Sequence, residues 1–299
     1  MAPQKLTSRE DYEALVDKYD TFLFDCDGVI WHGAKAVPNI QSTLSMLRGR
    51  GKRLIFVTNN SATSRSDYVT KFTKLGIQAA VEEIFSSAYA TAVYLSEVAR
   101  FPPEKAAYVI GGSGIRKELQ AVGIATIGHD DTAPVNLATL AEIEPNPDVG
   151  AVVFGIDYEI NYRKLANAHI NLMYNPDSLF VATNDDRTLP GGKHVYPGTG
   201  SMLSSLIHST QRTPLVMGKP NKPMLDCVMQ KYRLDPARTC MVGDRLDTDI
   251  LFGISGGLST LCVLTGVADE ASILDVSAPQ ATYYMDSLGD LSELATTSP

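Results

Sequence analysis

The chain has 299 residues, 44% hydrophobic and 20% charged, the composition of a soluble enzyme long enough to bury a sizeable core in two domains. A formal net charge of -8, from 26 Lys+Arg against 34 Asp+Glu, excludes a nucleic-acid-wrapping surface. Cys26, Cys227, Cys240 and Cys262 have no CxxC spacing, which excludes a zinc site and a disulfide framework and leaves reduced thiols. No apolar run approaches the roughly 18 residues of a membrane span, and residues 1–10 show neither an apolar core nor a cleavage pattern. A cytoplasmic protein without nucleic-acid or membrane partners is expected.

Strand and helix patterns alternate along the chain. Ser8 with Asp11 three residues on is a capping box, opening a helix through Leu15 and Val16. Phe22 to Phe24 reads as the first strand. Ile40, Leu44 and Leu47 recur at helical spacing, with Gly51 as the stop. Arg53 to Val57 is the next strand; Ser64 then opens a helix bearing Tyr68, Phe72 and Leu75 and closed by Gly76. Ser87 to Val98 is Ala-rich and helical, and Phe101-Pro-Pro103 breaks the pattern. Beyond it, Ala107–Ile110, Ala151–Phe154 and Leu179–Ala182 read as strands, with helices near Arg116 and Leu165. Leu215–Met217, Thr239–Val242 and Thr260–Val263 follow as short buried strands. Apolar runs of this kind make parallel sheets covered on both faces, an α/β fold.

Four of these strands end in polar clusters. Phe24 leads to Asp25-Cys-Asp-Gly28, Val57 to Thr58-Asn-Asn60, Met217 to Gly218-Lys219, and Val242 to Gly243-Asp244. In open α/β sheets ligands bind beyond the carboxyl ends of the strands, so the four clusters are expected to converge on one crevice. Asp25 and Asp27, two residues apart after a strand, point the same way and need a cation beside them or a shared proton. A Mg²⁺-dependent site is the economical reading, with one Asp attacking and the other shuttling protons. Cys26, between them, points away and reads as a buried thiol. Trp31 is either a flap residue or core. Gly111-Gly-Ser-Gly114 lacks both nucleotide-loop patterns and reads as a strand-to-helix turn; Gly198-Thr-Gly200 reads as a tight helix entry. Asp247 reads as a helix cap, and the five histidines show no ligand spacing.

Asp-x-Asp-Gly, a strand-end Thr, a Lys and Gly-Asp-x-x-x-x-Asp, in that order, resemble the motif series of the haloacid dehalogenase superfamily of phosphatases. The strings Asp25-Cys-Asp-Gly-Val-Ile-Trp31, Val57-Thr-Asn-Asn-Ser61, Ala182-Thr-Asn184, Pro197-Gly-Thr-Gly200, Gly218-Lys-Pro220 and Gly243-Asp-Arg-Leu-Asp-Thr-Asp249 look like one branch of it. That branch holds eukaryotic phosphoglycolate phosphatases, p-nitrophenylphosphatases and pyridoxal phosphatase (chronophin). The resemblance implies a Rossmann-like doubly wound parallel-sheet core with a large inserted α/β cap of the C2 type. Spacing agrees independently: Thr58 follows Asp25 by 33 residues, whereas Lys219 follows Thr58 by 161, far more than one crossover needs. The expected division is core over residues 1–100, cap over 101–212 and core again over 213–299.

The resemblance also implies roles. Asp25 is the nucleophile that forms an aspartyl-phosphate; Asp27 is acid and then base. Thr58, Asn59, Asn60 and Lys219 bind the phosphoryl group. Mg²⁺ is held by the Asp25 carboxylate, the Asp27 backbone carbonyl and Asp244, with Asp249 supporting Lys219 or a metal-bound water. The substrate is a small phosphorylated metabolite. Within Thr183–Pro190 the chain carries Asn184 and Leu189, as phosphoglycolate phosphatases do, where pyridoxal phosphatase carries Asp and His. 2-Phosphoglycolate is therefore expected ahead of pyridoxal phosphate, with activity on p-nitrophenyl phosphate as well. Relatives in the branch pair through their caps, and the apolar middle segment permits such a homodimer. A phosphotransferase and an inactive binding protein are the other classes. The first is disfavoured by the short interval after Asp25, the second by retention of the five motif residues.

Overall fold

The computed structural model describes residues 2–191 and 193–295. The chain divides into two compact units. One comprises residues 1–58, 66–85 and 219–299; the other comprises 59–65 and 86–218.

The first unit is built on a seven-stranded sheet. From one edge to the other its strands are Gln4–Lys5, Tyr283–Met285, Ser259–Val263, Thr239–Gly243, Thr21–Phe24, Arg53–Thr58 and Ile84–Ser86. The pairings from Gln4–Lys5 across to Arg53–Thr58 are parallel. Thr21–Phe24 is buried throughout, which is why it reads as an unbroken apolar run and not as an alternating one. The order runs outward in both directions from this strand, so the strand order reverses beside it and a ligand crevice is expected at its carboxyl end. Helix Arg9–Lys18 starts at the expected capping box: the Ser8 hydroxyl accepts from the Asp11 amide, and the Asp11 carboxylate accepts from the Ser8 amide. Helices Ile40–Gly49 and Arg65–Lys74 lie where the apolar periodicity put them. Phe22, Phe24, Phe56, Trp31, Tyr68 and Phe72 fill one core cluster.

The second unit has its own five-stranded parallel sheet, in the order Leu215–Val216, Leu179–Ala182, Val149–Phe154, Ala106–Ile110, Ala125–Ile127. Helices Ser113–Ala121, Tyr162–Tyr174 and Thr199–Thr210 follow its strands, and Phe154, Phe180, Leu172 and Leu203 lie in its core. An antiparallel hairpin joins Thr188–Gly191 to His194–Pro197. Gly112 and Gly198 are helix N-caps, so both glycine-rich strings are helix entries.

One sequence expectation fails here. Leu215–Met217 reads as a strand of the main sheet itself, delivering Lys219 to that sheet's crevice. It instead pairs with Val181–Ala182 at the edge of the second unit's sheet. A two-residue apolar run has too few side chains to specify its partner, so pairing is decided by the neighbour within reach. Lys219 therefore enters the first unit from a loop.

Candidate active site

Register brings the polar strand ends together in the first unit. Phe24 stands opposite both Phe56 and Val242 in the parallel ladder, and the Asp25 amide continues it, donating to the Val242 carbonyl at 2.9 Å. Asp25, Thr58 and Asp244 thus leave three adjacent strands at one level. Thr58 is 2% exposed and closes its strand.

Lys219 is buried among acids. Its Nζ lies 2.6 Å from Asp25 Oδ1 and 2.7 Å from Asp249 Oδ1, and donates to the Val57 carbonyl at 2.7 Å. Asp249 is itself anchored: its Oδ2 accepts from the amides of Asp244 and Arg245, each at 3.2 Å. Asp244 Oδ2 accepts from the Val267 amide at 2.8 Å. One carboxylate oxygen each from Asp25, Asp244 and Asp249 can be chosen so that all lie within 4.8 Å of one another.

The charges do not balance by themselves. Three acids facing one Lys leave two negative charges in a buried place, and the carboxyls shift accordingly. Burial pushes the Asp25 carboxyl well above the usual carboxylate range, Lys219 pulls it down, and Asp249 and Asp244 push it further up. Burial raises Asp244 to about 7, Asp249 adds to the rise and the Val267 amide opposes it. For Lys219 burial acts downward, but Asp249 and Asp25 outweigh it and the ammonium is held charged. A small, hard divalent cation fits such an oxygen set and would neutralise the excess.

The backbone leaves room for Asp244 alone. Gly28 has φ +88°, a conformation L side chains rarely adopt, and a Cβ there would meet Asp244 Oδ2 at 2.5 Å. A Cβ on Gly266 would lie 1.9 Å from the same oxygen. The Thr265 hydroxyl ties the two segments together by donating to the Gly28 carbonyl at 2.5 Å.

Asp27 faces another partner. Its Oδ1 accepts from Trp31 Nε1 at 2.9 Å. Trp31 is fully buried, so it belongs to the core and not to a mobile flap. Cys26 is also fully buried, and burial pushes its thiol well up, as its place on the opposite side of the alternation implies. Asp247 pairs with Arg245 at 2.8 Å on the exterior.

Asn59 and Asn60 belong to the second unit. Asn59 Nδ2 donates to the Asp186 carboxylate at 3.2 and 3.4 Å, and the Asn59 carbonyl accepts from Asn184 Nδ2 and from the Ser87 hydroxyl. Asn60 Oδ1 accepts from the Ala62 amide. Asn59 is thereby tied to the Asn184–Asp186 segment. Nothing in the local pattern revealed this, since the partners are more than 120 residues apart. Trp31 as a partner of Asp27 was likewise missed. Its signal was present: a lone Trp four residues after an acid, inside an apolar run.

The chain is similar to known proteins of one family over nearly its whole length. The family model described as haloacid dehalogenase-like hydrolase matches residues 22–125, and a second, HAD-hydrolase-like model matches residues 216–291. Phosphoglycolate phosphatase 2 of Arabidopsis thaliana is 44% identical over 98% of this chain and 99% of its own length. A 4-nitrophenylphosphatase of Schizosaccharomyces pombe is 41% identical over 98% and 99%, and a glycerol-3-phosphate phosphatase of Mus musculus 41% over 95% and 93%. Among solved structures, a hypothetical protein of Pyrococcus horikoshii superposes with a TM-score of 0.79 at 34% identity, covering 92% of this chain and 98% of that one. A Mycobacterium tuberculosis glycerol phosphate phosphatase, solved in complex with magnesium, gives 0.77 at 28% identity, covering 95% and 80%.

Proposed function

This chain belongs to the haloacid dehalogenase-like hydrolases and is a phosphatase of that family, and from that premise we propose that it hydrolyses 2-phosphoglycolate and similar small phospho-acids with Mg²⁺ as cofactor. The observation that carries the mechanism is Asp25 held at 2.6 Å by Lys219 within a cluster of two further acids. A carboxylate so placed is an oriented nucleophile with a fixed cation beside it. Asp25, the Asp27 backbone carbonyl and Asp244 would hold Mg²⁺, with Asp249 close enough to assist. When bound, the ion screens the nucleophile from the phosphate it must approach.

The chain's own groups supply the rest. The Asp25 carboxylate oxygen attacks phosphorus in line to give an aspartyl-phosphate. Asp27 gives a proton to the leaving oxygen, then takes one from the water that hydrolyses the intermediate. Lys219 places a point charge beside the phosphoryl oxygens and fixes the Asp25 carboxylate. Thr58 donates its hydroxyl to the phosphate. Asn59 is held by Asp186, so its contribution to phosphate binding is proposed through placement of that loop, with Asn60 beside it.

The substrate assignment rests on Asn184 and Leu189 and on near full-length relatives named phosphoglycolate phosphatase. A second reading, glycerol 3-phosphate, is favoured by relatives of that name at 41% identity. Relatives named as chloroplastic exist; four buried free cysteines support a reducing compartment, and the cytoplasm is proposed. Among the described residues no helix is long and apolar enough to cross a membrane. Pairing through the second unit is proposed on the branch resemblance alone.

The test is phosphate release with Mg²⁺, repeated with EDTA, from 2-phosphoglycolate, glycerol 3-phosphate, pyridoxal phosphate and p-nitrophenyl phosphate. EDTA-sensitive turnover with the highest kcat/KM on 2-phosphoglycolate supports the proposal. A preference for glycerol 3-phosphate or pyridoxal phosphate keeps the chemistry and overturns the substrate. EDTA-insensitive turnover removes the metal.

A further inference from the structure

Trp31, the one tryptophan of the chain, is fully buried yet directs its single polar atom at a carboxylate. The ring is fixed on several sides. Tyr68 stacks on it with centroids 6.0 Å apart and planes 21° from parallel, and Phe72 meets it edge-on at 4.9 Å. Lys71 Nζ stands 3.9 Å from the ring centroid. All three come from one helix, Arg65–Lys74. The backbone closes the same loop, with the Gly28 amide donating to the Trp31 carbonyl at 2.8 Å and Asp27 bridged to Trp31. For packing alone, a Phe would serve this position and leave no donor to satisfy.

The donor has a chemical consequence. An indole N–H donates and cannot accept, and a protonated carboxyl accepts best at its carbonyl oxygen, not at its hydroxyl. A donor fixed on Oδ1 at 2.9 Å therefore leaves Oδ2 as the oxygen free for a proton in transfer. Resting on the phosphatase reading above, we propose that Trp31 is a positioning residue for Asp27: it fixes the carboxyl plane and reserves Oδ2 for the proton in transfer. As an Asp25 oxygen bonds to phosphorus, the ester P–O bond breaks and its electron pair stays on the leaving oxygen. The proton on Asp27 Oδ2 passes to that oxygen, and Asp27 becomes a carboxylate still held at Oδ1. The Lys71 cation on the indole face draws density from the ring and strengthens the N–H as a donor.

The test is a leaving-group series, because acid assistance matters for alkoxides and little for p-nitrophenolate. With the full chain and Mg²⁺, kcat/KM is measured on p-nitrophenyl phosphate, phenyl phosphate, glycerol 3-phosphate and 2-phosphoglycolate. Two forms are compared with wild type. One is Trp31→Phe. The other has the sole tryptophan replaced by benzothienylalanine, which keeps the bicyclic shape with sulfur in place of N–H, so a folding defect of the Phe variant cannot decide the result. Both are expected to lose about 10²-fold on the alkyl esters, the scale of a mispositioned catalytic group, and to stay within about threefold on p-nitrophenyl phosphate. Asp27→Asn is expected to steepen the same dependence further. A parallel loss on all four esters would mean a purely structural Trp31, and unchanged alkyl-ester turnover by the benzothienyl form would also overturn the proposal. A wild-type chain that releases phosphate from none of them would sink the phosphatase reading, and this inference with it.

Discussion

Lys219 Nζ lies 2.6 Å from Asp25 Oδ1, and the two residues stand 194 positions apart in the chain. The pair joins the end of strand Thr21–Phe24 to the segment that re-enters the first unit. The same ammonium is shared with Asp249 at 2.7 Å. One cation thus sets both the direction of the nucleophile and the neutralisation of a buried acid.

Lys219→Met should therefore unfold the protein more easily as well as inactivate it. Removing one partner of a buried pair strands the other charge, which costs about 3–5 kcal/mol. Urea titration and phosphate release measure the two effects. A change in stability below about 1 kcal/mol would show that the acids simply take up protons in its absence.

Asp25→Asn removes the nucleophile and one of the three clustered acids. Turnover should fall by several orders of magnitude, toward the roughly 10⁶-fold loss seen when a nucleophile is removed elsewhere. Metal-free stability at pH 8 should be equal or higher, because a buried negative charge is gone while Lys219 keeps Asp249. Activity near wild type would remove Asp25 from its role.

The pH dependence has a definite sign. Asp244 rises from 3.8 to about 7 on folding, so between those values the folded state binds more protons than the unfolded one. Its contribution to stability is fully present below pH 3.8 and is lost as pH rises through about 7. A cation that binds the carboxylate reverses this, since protons compete with it for the same oxygen. The gain in melting temperature on adding Mg²⁺ should be small at pH 5 and grow through pH 7. In Asp244→Asn the pH dependence of that gain should flatten. A gain independent of pH would dissociate Asp244 from the cation.

Gly28→Ala should lose metal response before it loses the fold. The strained φ of +88° costs about 1–2 kcal/mol. The added methyl, 2.5 Å from Asp244 Oδ2, must also displace that carboxylate. Isothermal titration with Mg²⁺ should show affinity lower by an order of magnitude or more. Unchanged affinity would mean that Asp244 has another usable position.

Leu189→His should move substrate preference toward pyridoxal phosphate relative to 2-phosphoglycolate, read as the ratio of kcat/KM values. An unmoved ratio would detach this hairpin position from selectivity.

The chemistry of the chain was legible where local order carries it. Asp25 and Asp244 follow, and Thr58 closes, a strand of four to six mostly buried residues, and burial on both faces leaves an apolar run that announces its own end. The Ser8 capping box and the stops at Gly51 and Gly76 are equally local, and both glycines have positive φ. What escaped is set by partners distant in sequence. Leu215–Val216 shows nothing of the sheet it joins. Gln4–Lys5 forms the far edge of the main sheet only by pairing with Tyr283–Met285, almost 280 residues away. The Asn59–Asp186 contact spans 127 residues. In each case the deciding energy lies in a tertiary contact, which no window of neighbours contains.

The glycines that wall Asp244 limit what substitution can do as well as shape. With backbone at both Gly28 and Gly266 facing one carboxylate, no side-chain change at either position can retune that acid without crowding it. Relatives named for glycolate, glycerol and nitrophenyl esters share most of their length with this chain. In this chain a change in what the site takes must then be written elsewhere, because an exchange at either glycine breaks this corner and cannot adjust it.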